Sequence, residues 1–476
     1  MLVLTGGFYS NQWGVARQGW FDGFQRGTEC HVLGRLVKSR QDGMLSGGGL
    51  LGVGVSRFEK PAQPLAYGVH FRRADLASGI HIRVEGEDWP AGDQIDHQYR
   101  AYLDSLRFEI YSPYLSQNGG QGMLFSALDA ALPLGLRAKL SLFYLATALL
   151  SAAALTMIVL WFASEFSLGI GVWVLASAAC SQWLVGFGRN LWWGLWAFYL
   201  PFIVLCQYQR TARPRTRGRY LTLAALAFGA VLVKCFINGY EYITTTVVML
   251  AVPSAYYALR NGAGLPALLK DALSLALGSA LAIATSQGVL IGQLASLKGG
   301  GLFGLRHLAF SLAARTQGDP EDFPPSYGPG LGASRWSVLA TYLKGAYVDL
   351  RGRWPELDGA LPEALLAPRY GHLLVAFAAA SLLAWWLGGG ESPDEDSGRL
   401  RALLWTTWVA LLAPLSWLVA FKAHSYEHTH MNFIVWQMPF SLFGFALCGA
   451  AGARLARRAA SARPQRSAVS RTSKIP

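Results

Sequence analysis

Long apolar runs with few charges constrain this chain more than any other feature of its sequence. Only 14% of the residues are charged, against roughly 25% in soluble globular proteins. A helix needs about 20 consecutive apolar residues to cross the hydrocarbon core of a bilayer. The pattern therefore predicts an all-α polytopic membrane protein with about nine transmembrane helices. The predicted spans are 141–163, 169–187, 191–207, 220–237, 243–259, 272–293, 371–388, 402–421 and 433–451.

The positive charge of the chain indicates which side each linker occupies. The segment 208–219 carries five Arg and no acid, and 451–476 carries six Arg and Lys474, again with no acid, so that the two hold +12 of the net +13. Short basic segments beside apolar spans are typical of cytoplasmic loops. Alternation through nine spans places these two segments and the linkers 260–271 and 389–401 on the same side. The charge thus predicts a multi-pass protein of the cytoplasmic membrane, with the lipid bilayer and not nucleic acid as its partner.

The same alternation divides the chain into five parts. Within the first part, we expect strands or irregular loop in the glycine-rich residues 45–92 and, over 93–131, an amphipathic interfacial helix, a break at Pro113 and a second short helix after Gly122. The opening "MLVLTGGFYSNQWG" lacks the basic region and apolar core of a signal peptide, and we interpret it as the end of a span that begins upstream. The parts are an extracytoplasmic first segment with interfacial helices (1–140), transmembrane helices 1–6 (141–293), an extracytoplasmic loop (294–370), transmembrane helices 7–9 (371–451) and a basic cytoplasmic tail (452–476).

Four polar clusters fall on the predicted extracytoplasmic side. Ionisable residues at the membrane-embedded ends of helices are costly and therefore indicate function, and four clusters on one face predict a shared pocket. Arg306, His307 and Arg315 of the long loop are further candidates for it. The clusters are Asp22 with Glu29, Arg189 with Asn190, Lys234 with Glu241, and Lys422 with His424, Glu427, His428 and His430.

A pocket of cations and one or two carboxylates suits transfer from a phosphate-linked donor. Lys and Arg hold a phosphate, a carboxylate takes the proton of an attacking hydroxyl, and the cations balance the charge on the departing phosphate. Trp20, Trp192 and Trp193 are candidates to stack on a sugar or cover a lipid tail. Each residue also has a structural alternative: the acids as solvated loop residues, Arg189 as an interfacial anchor, Lys234 as a snorkelling side chain, and the tryptophans as an interfacial belt.

The stretch "FKAHSYEHTHMNFIVW", residues 421–436, leaves three interpretations open. His424 and His428 share a helix face and His430 follows, so the spacing permits a metal ion, which needs three or four ligands. The motif HEXXH is absent, and the five cysteines show no metal-ligand spacing. The stretch is therefore also compatible with a polar turn and with part of a substrate pocket. We assign no metal ligands and expect no cofactor, a divalent ion being the alternative.

Several segments resemble a known group of proteins. "NQWGVARQGWFDGFQRGTECHVLGRLVKSRQDG", "YLSQNGGQG", "GYEYITTT" and the histidine stretch are similar to a bacterial group of membrane proteins related to the GT-C superfamily of integral membrane glycosyltransferases. The resemblance runs along most of the chain. It implies transfer of a sugar from a polyprenyl-phosphate donor to an acceptor outside the cytoplasm.

The resemblance also implies roles for individual residues. Asp22 matches the acid of the first outer loop and would be the catalytic base, with Glu29 as a supporting acid that lies farther from it than in several members. Arg189, Lys234 and Lys422 would bind the donor phosphate, an assignment that rests on their topology and chemistry and not on a matched motif. The alternatives are a transporter or flippase for a lipid-linked or anionic solute, which is expected to show midplane charges and internal repeats, and a noncatalytic partner in envelope-polysaccharide assembly.

Overall fold

The computed structural model describes residues 1–56, 91–211, 216–298, 300–353, 360–388 and 395–461, together with the backbone of two short strands between the first two ranges. Most of the described chain is helical. The strands are β1 Gly52–Val55, β2 Gly68–His70, β3 Arg83–Glu85 and β4 Ile110–Pro113. The α-helices are α1 Leu2–Ser10, α2 Gln18–Asp42, α3 Ala91–Leu103, α4 Gly120–Ala131, α5 Leu136–Glu165, α6 Leu168–Ala179, α7 Gln182–Gly188, α8 Leu195–Arg210, α9 Arg217–Asn238, α10 Ile243–Arg260, α11 Leu265–Lys298, α12 Gly301–Arg315, α13 Gly328–Gly332, α14 Arg335–Lys344, α15 Glu363–Leu366, α16 Tyr370–Gly388, α17 Glu395–Ala420, α18 Lys422–Glu427 and α19 Phe440–Ser461.

Several helices have the length and apolar character of membrane spans. In the described part of the chain these are α5, α9, α11, α16 and α17, and α6 with α7 makes a sixth if the bent pair is counted as one span. The five single helices coincide with five of the predicted spans, and each is long and apolar enough to cross a membrane. The helical fold class and the apolar segments of a multi-pass membrane protein are therefore present.

The other predicted spans differ from straight membrane helices. The span 169–187 was predicted as continuous, but it bends by 74° between α6 and α7. The bend has a local cause, because the Ser181 hydroxyl caps α7 by accepting a hydrogen bond from the Leu184 N–H at 3.3 Å and so starts a new helix. The spans predicted at 191–207 and 243–259 correspond to α8 and α10. These two helices are shorter or less apolar than the five helices that could cross a membrane.

The span predicted at 433–451 is divided. Residues Asn432–Gln437 form a 3₁₀ helix, and α19 begins only at Phe440. Pro439 has no N–H to donate to a preceding carbonyl, so the earlier turn and α19 are separate elements. This span was predicted as a single helix, and in the structure it is not one.

Buried ion pairs gather the basic linkers at one end of the helix bundle. Arg219 at the start of α9 lies 2.8 Å from Asp271 in the first part of α11, and Arg260 at the end of α10 lies 2.5 Å from Glu165 at the end of α5. Arg399 in α17 donates a hydrogen bond to the Glu165 carbonyl. The segments assigned to one side by charge therefore meet at one end, and the C-terminal ends of α9, α11 and α17 lie at the other.

The N-terminal segment packs around α2 and brings a strand beside it. Gly52 to Val55 of β1 pair antiparallel with Pro113 to Ile110 of β4. The strand pair lies very close to α2, since a Cβ at Gly34 would be 2.2 Å from the Gly52 carbonyl oxygen. Helices lie on both sides of Pro113, as the pattern predicts, with β4 between them.

Charged groups fasten α2 to the next two helices. Arg40 forms a two-pronged ion pair with Asp129 of α4, at 2.5 and 2.7 Å, and Lys139 of α5 lies 3.7 Å from the same carboxylate. Tyr102 of α3 donates a hydrogen bond to it at 2.9 Å. These contacts fix the face that α2 turns towards the bundle.

Candidate functional site

A cavity of about 670 Å³ lies at the end of the bundle opposite the basic linkers. It is enclosed by α2, the chain that follows β4, the turns before α8 and α10, α12 and the histidine stretch. Small-molecule sites typically have volumes of roughly 300–1,000 Å³. The polar and aromatic lining includes Thr28, His31, Tyr114, Trp192, Trp193, Glu241, His307, Arg315, Tyr327, His424, Glu427, His428 and His430.

Glu241 lies at the centre of the charged groups. Its Oε1 is 3.5 Å from a guanidinium nitrogen of Arg315, and its Oε2 is 3.4 Å from Nε2 of His424. Burial raises the pKa of Glu241, whereas His424 and Arg315 lower it, and the pKa lies below its usual value. Because His424 is itself neutral at physiological pH, Arg315 is the cation that stabilises the ionised carboxylate.

A chain of hydrogen bonds sets the tautomer of His424. Tyr242 donates to Oδ1 of Asn432 at 3.0 Å, which leaves the Asn432 amide nitrogen to donate to Nδ1 of His424 at 3.3 Å. Since Nδ1 accepts, the proton of the neutral imidazole is on Nε2, the atom that faces Glu241. Burial lowers the pKa of His424 to about 3, so the ring is neutral at physiological pH.

The other two histidines of the stretch continue along the cavity wall. The rings of His424 and His428 are 4.4 Å apart, and those of His428 and His430 are 5.4 Å apart. Burial lowers the pKa of both His428 and His430. Nδ1 of His428 is buried and has no hydrogen-bond partner among the described residues. These three histidines, the histidine row, therefore offer neutral imidazoles to a ligand, and Arg315 of α12 adds a permanent cation to the cavity.

Lys234 stabilises the turn that carries Glu241. The Lys234 ammonium donates hydrogen bonds to the backbone carbonyl oxygens of Gly239 at 2.9 Å and Glu241 at 2.5 Å. Gly239 has a φ of 61°, and a Cβ there would lie 2.5 Å from the Gln117 side chain, so both conformation and space require glycine. The turn is thereby fixed with its carboxylate towards the cavity.

A second turn, residues 189–194, presents two tryptophans to the cavity. The side-chain Oδ1 of Asn190 accepts hydrogen bonds from the backbone N–H groups of Trp192 and Trp193 at 3.0 and 3.2 Å, as in an Asx turn. The Asn190 amide donates to Gln25 and Thr28 of α2, both at 3.0 Å. Asn190 thus positions the tryptophans and does not itself line the cavity.

Glu29 ties the same turn to α2 from a fully buried position. Its Oε1 accepts from the Leu191 N–H at 3.2 Å and its Oε2 from the Tyr99 hydroxyl at 2.9 Å. Burial raises the pKa of Glu29 to about 7, although the charge of Arg189 and the hydrogen bonds from Tyr99 and Leu191 lower it. Glu29 therefore changes protonation near neutral pH.

Aromatic rings form another part of the cavity wall. His31, Tyr114 and Trp192 meet edge to face, with centroids between 5.0 and 5.9 Å apart. Arg315 donates to the Tyr114 hydroxyl at 3.3 Å. Burial lowers the pKa of His31 to about 4, so this wall is uncharged and suits the apolar face of a sugar ring.

The structure brings seven of the fourteen polar residues named as candidates from the sequence to the cavity. These are Glu241, His307, Arg315, His424, Glu427, His428 and His430. Asp22 is exposed and is hydrogen-bonded to Gln18. It lies nine residues before His31 in α2, and at 100° per residue the two side chains leave opposite faces of the helix.

The remaining predicted residues support the fold around the site. Lys422 donates to the carbonyl oxygens of Leu331 and Ala333, at 2.5 and 2.9 Å, which fastens the chain after α13. The Arg189 guanidinium lies over the rings of Phe21 and Tyr144. Neither these two cations nor Lys234, Asn190 and Glu29 are part of the lining.

His31 and Tyr114 were missed from the sequence. A signal for His31 exists, since Thr28 and His31 are three apart and share one face of α2. Tyr114 has no comparable signal, because it reaches the cavity only through the pairing of β4 with β1. Within the described residues, no group of three or more His, Cys, Asp or Glu side chains is arranged to hold a metal ion.

Comparisons of the chain with protein-family models, curated proteins and solved structures find no match in any of the three.

Proposed function

We propose that this protein is a membrane glycosyltransferase that moves a sugar from a polyprenyl-phosphate donor to a hydroxyl acceptor, and that the 670 Å³ cavity is its active site. The observation that carries the proposal is the position of the Glu241 carboxylate. Its side chain lines the cavity, with Oε1 3.5 Å from a guanidinium nitrogen of Arg315 and Oε2 3.4 Å from Nε2 of His424. A buried carboxylate at the wall of a cavity is suited to accept a proton.

The reaction assigns a task to each group. The acceptor oxygen forms a bond to C1 of the sugar while the bond from C1 to the phosphate oxygen breaks, and the acceptor proton passes to Glu241. The phosphate leaves with the electron pair, and Arg315 with the N–H groups of the histidine row stabilises the resulting charge. The rings of Trp192 and Tyr114 pack against the sugar.

α12 supports a lipid-linked donor. Its Arg315, Ser311 and His307 face the cavity, while Leu302, Leu305 and Leu312 are exposed, the first at 59%. An apolar exposed face beside a polar inner face is the pattern of a helix that lies in the membrane interface. Such a helix would let a polyprenyl chain remain in lipid while its phosphate enters the cavity.

The proposal includes the orientation of the chain. The nine segments alternate so that the basic linkers face the cytoplasm and the cavity faces outward, in the cytoplasmic membrane. Reporter fusions after Ser392 and after Ser425 test this arrangement; the first is expected to be active only as a cytoplasmic reporter and the second only as an extracytoplasmic one. The reverse result would place the cavity inside the cell and remove the proposed donor side.

The transporter alternative is less well supported by the geometry. Transporters place broken helices at the substrate site. Here the bent pair α6 and α7 separates at Cys180 and Ser181, and the divided span 433–451 breaks at Met438 and Pro439. None of these four residues lines the cavity. Uptake or flipping of a labelled lipid-linked sugar by proteoliposomes, without transfer, would nevertheless favour that class.

The direct test is sugar transfer in isolated membranes supplied with labelled polyprenyl-phosphate sugars and candidate acceptors. Glu241→Gln is expected to lower the rate at least 100-fold, the lower range for loss of a general base, while leaving donor binding within a few-fold of wild type. Asp22→Asn, an equal charge change at an exposed position, is expected to retain the rate. All variants are compared at equal amounts of folded protein.

The opposite pattern would assign the base to Asp22, as the family resemblance implies, and would overturn the role of Glu241. Loss of donor binding in Glu241→Gln would make Glu241 a structural partner of Arg315. Absence of transfer by the wild type with every donor tested would overturn the transferase proposal.

A further inference from the structure

A buried carboxyl group lies beside the aromatic part of the cavity wall, and no step of the proposed reaction uses it. Glu29 is fully buried in α2, next to Thr28 and two residues before His31, both of which line the cavity. Its Oε1 accepts the hydrogen bond from the N–H of Leu191, the residue before Trp192 of the cavity wall. One carboxyl group therefore joins the two segments that carry this part of the wall.

The two hydrogen bonds of this carboxyl group respond differently to a proton. The Leu191 N–H can only donate, so its bond of 3.2 Å loses the charge on the acceptor when Glu29 is protonated. The Tyr99 hydroxyl, 2.9 Å from Oε2, can turn and accept a hydrogen bond from the protonated acid. Charge-assisted hydrogen bonds are roughly twice as strong as neutral ones. Protonation therefore weakens the contact with the turn 189–194 and preserves the contact with α3.

The other side-chain hydrogen bonds that hold the turn 189–194 in the described structure join neutral groups. Amides and hydroxyls neither gain nor lose a proton near neutral pH, so the contact with Glu29 is the one among them that depends on pH. The neutral bonds run from Asn190 to Gln25 and Thr28, from Gln121 to the Trp192 carbonyl oxygen, and from Asn238 to the Trp193 carbonyl oxygen.

The charged and titratable groups that face Glu29 are Arg189 of the same turn, Tyr99 of α3, Tyr144 of α5 and Cys30 of α2. Burial raises the pKa of Glu29 to about 7, against the lowering effect of Arg189, which is a permanent cation. Burial raises the pKa of Cys30 to about 12, and tyrosine side chains are neutral below about pH 10. Within this set, Glu29 is therefore the group whose charge changes near neutral pH.

We propose that Glu29 is a positioning residue through which pH governs binding of the sugar: its ionised carboxylate draws the turn 189–194 onto α2 and so fixes the ring of Trp192 in the cavity wall. His31 and Tyr114 meet Trp192 edge to face, with ring centroids 5.1 and 5.0 Å away, so a shift of the turn alters the surface that the sugar contacts. The inference rests on the proposed function for the identity of the ligand, whereas the position of Trp192 is open to measurement without one.

Sugar binding and protein stability are expected to change with pH in opposite directions. Ionisation of Glu29 strengthens the contact with the turn, so the affinity for the sugar rises as the pH passes through about 7. The same ionisation places a charge in a buried position, so the free energy of unfolding falls. A residue with a merely structural role would lose affinity and stability together.

The first measurement follows the position of Trp192 without a ligand. 5-Fluorotryptophan is placed at position 192 of the full-length protein in micelles, and its fluorine resonance is recorded over pH 5 to 8. The resonance is expected to shift with a midpoint near pH 7 in wild type and in Asp22→Asn, and to stay at the low-pH position in Glu29→Gln. A label at the exposed Trp336 is the control and should show no such midpoint.

A second variant keeps this measurement decisive if Glu29→Gln does not fold. Tyr99→Phe removes a hydrogen bond that lowers the pKa of Glu29, so the midpoint is expected to move to higher pH. A constant Trp192 resonance in wild type, an unmoved midpoint in Tyr99→Phe, or the wild-type midpoint in Glu29→Gln would overturn the proposal.

The second measurement is equilibrium binding of a labelled polyprenyl-phosphate glucose at pH 6 and pH 8. This phosphodiester lacks the second proton that titrates near about pH 6 in a phosphate monoester, so the probe keeps its charge. Affinity is expected to rise roughly fivefold in wild type and to stay constant in Glu29→Gln. Affinity that falls or stays constant with pH in wild type would overturn the effect on sugar binding. A resonance that titrates in a protein that does not bind the probe would support the position of Trp192 and overturn the transferase proposal.

Discussion

Replacement of Glu29 by glutamine tests whether the buried carboxyl group governs stability near neutral pH. Glu29 has an ordinary pKa of 4.5 when exposed and about 7 in the folded protein. The folded state therefore binds the proton more tightly than the unfolded state. The resulting stabilisation is fully present below pH 4.5 and is lost as the pH rises through 7.

The size of the effect follows from the two pKa values. Between pH 5 and pH 8 the contribution of Glu29 to the free energy of unfolding falls by about 2.5 kcal/mol. A glutamine side chain at this position mimics the protonated acid, because its carbonyl oxygen accepts from the Leu191 N–H while its amide donates to the Tyr99 hydroxyl. We expect wild type and Glu29→Gln to differ little at pH 5 and the variant to be more stable by about 2 to 3 kcal/mol at pH 8.

The assay is reversible unfolding in mixed micelles at a series of pH values, followed by tryptophan fluorescence. Asp22→Asn is the control, since it makes the same charge change at an exposed position of α2, and its curve should run parallel to that of wild type. A constant difference between wild type and Glu29→Gln over pH 5 to 8 would refute the reasoning, as would a variant that is less stable at pH 8.

Two further substitutions test the packing and the charges of the bundle by the same unfolding measurement. Gly278→Ala in α11 would place a Cβ 2.1 Å from the Ala224 carbonyl oxygen of α9, so the helices must separate, and the free energy of unfolding is expected to fall by about 1–3 kcal/mol. Gly288→Ala, with open space around it, is the matched control and should be neutral or stabilising. Equal effects of the two substitutions would show that α9 and α11 are not in close contact. Arg219→Met leaves the carboxylate of Asp271 buried without its ion-pair partner and is expected to cost about 3–5 kcal/mol; recovery in a variant that also carries Asp271→Leu would confirm the cause, and a neutral single variant would contradict it.

The tertiary structure decided the side-chain directions that the sequence leaves open. Lys234 was expected to bind phosphate because a charge inside an apolar run is costly, but its ammonium reaches the carbonyl oxygens of Gly239 and Glu241. A backbone partner of this kind satisfies the charge without a ligand, and no sequence pattern distinguishes the two outcomes. Asp22 differs for a second reason: the rotation of α2 about its axis is set by packing against α3 and α4.

The sequence itself determined three features of this protein: five apolar helices, the basic end of the bundle and the histidine stretch at the opposite end. Apolar length and charge are properties of consecutive residues, so they are visible without a fold. Arg315, His31 and Tyr114 come from three distant segments, and only the packing of α12, α2 and β4 brings them to Glu241. A site made of distant residues depends on helix rotation and strand register, which is why the composition of the cavity required the tertiary structure.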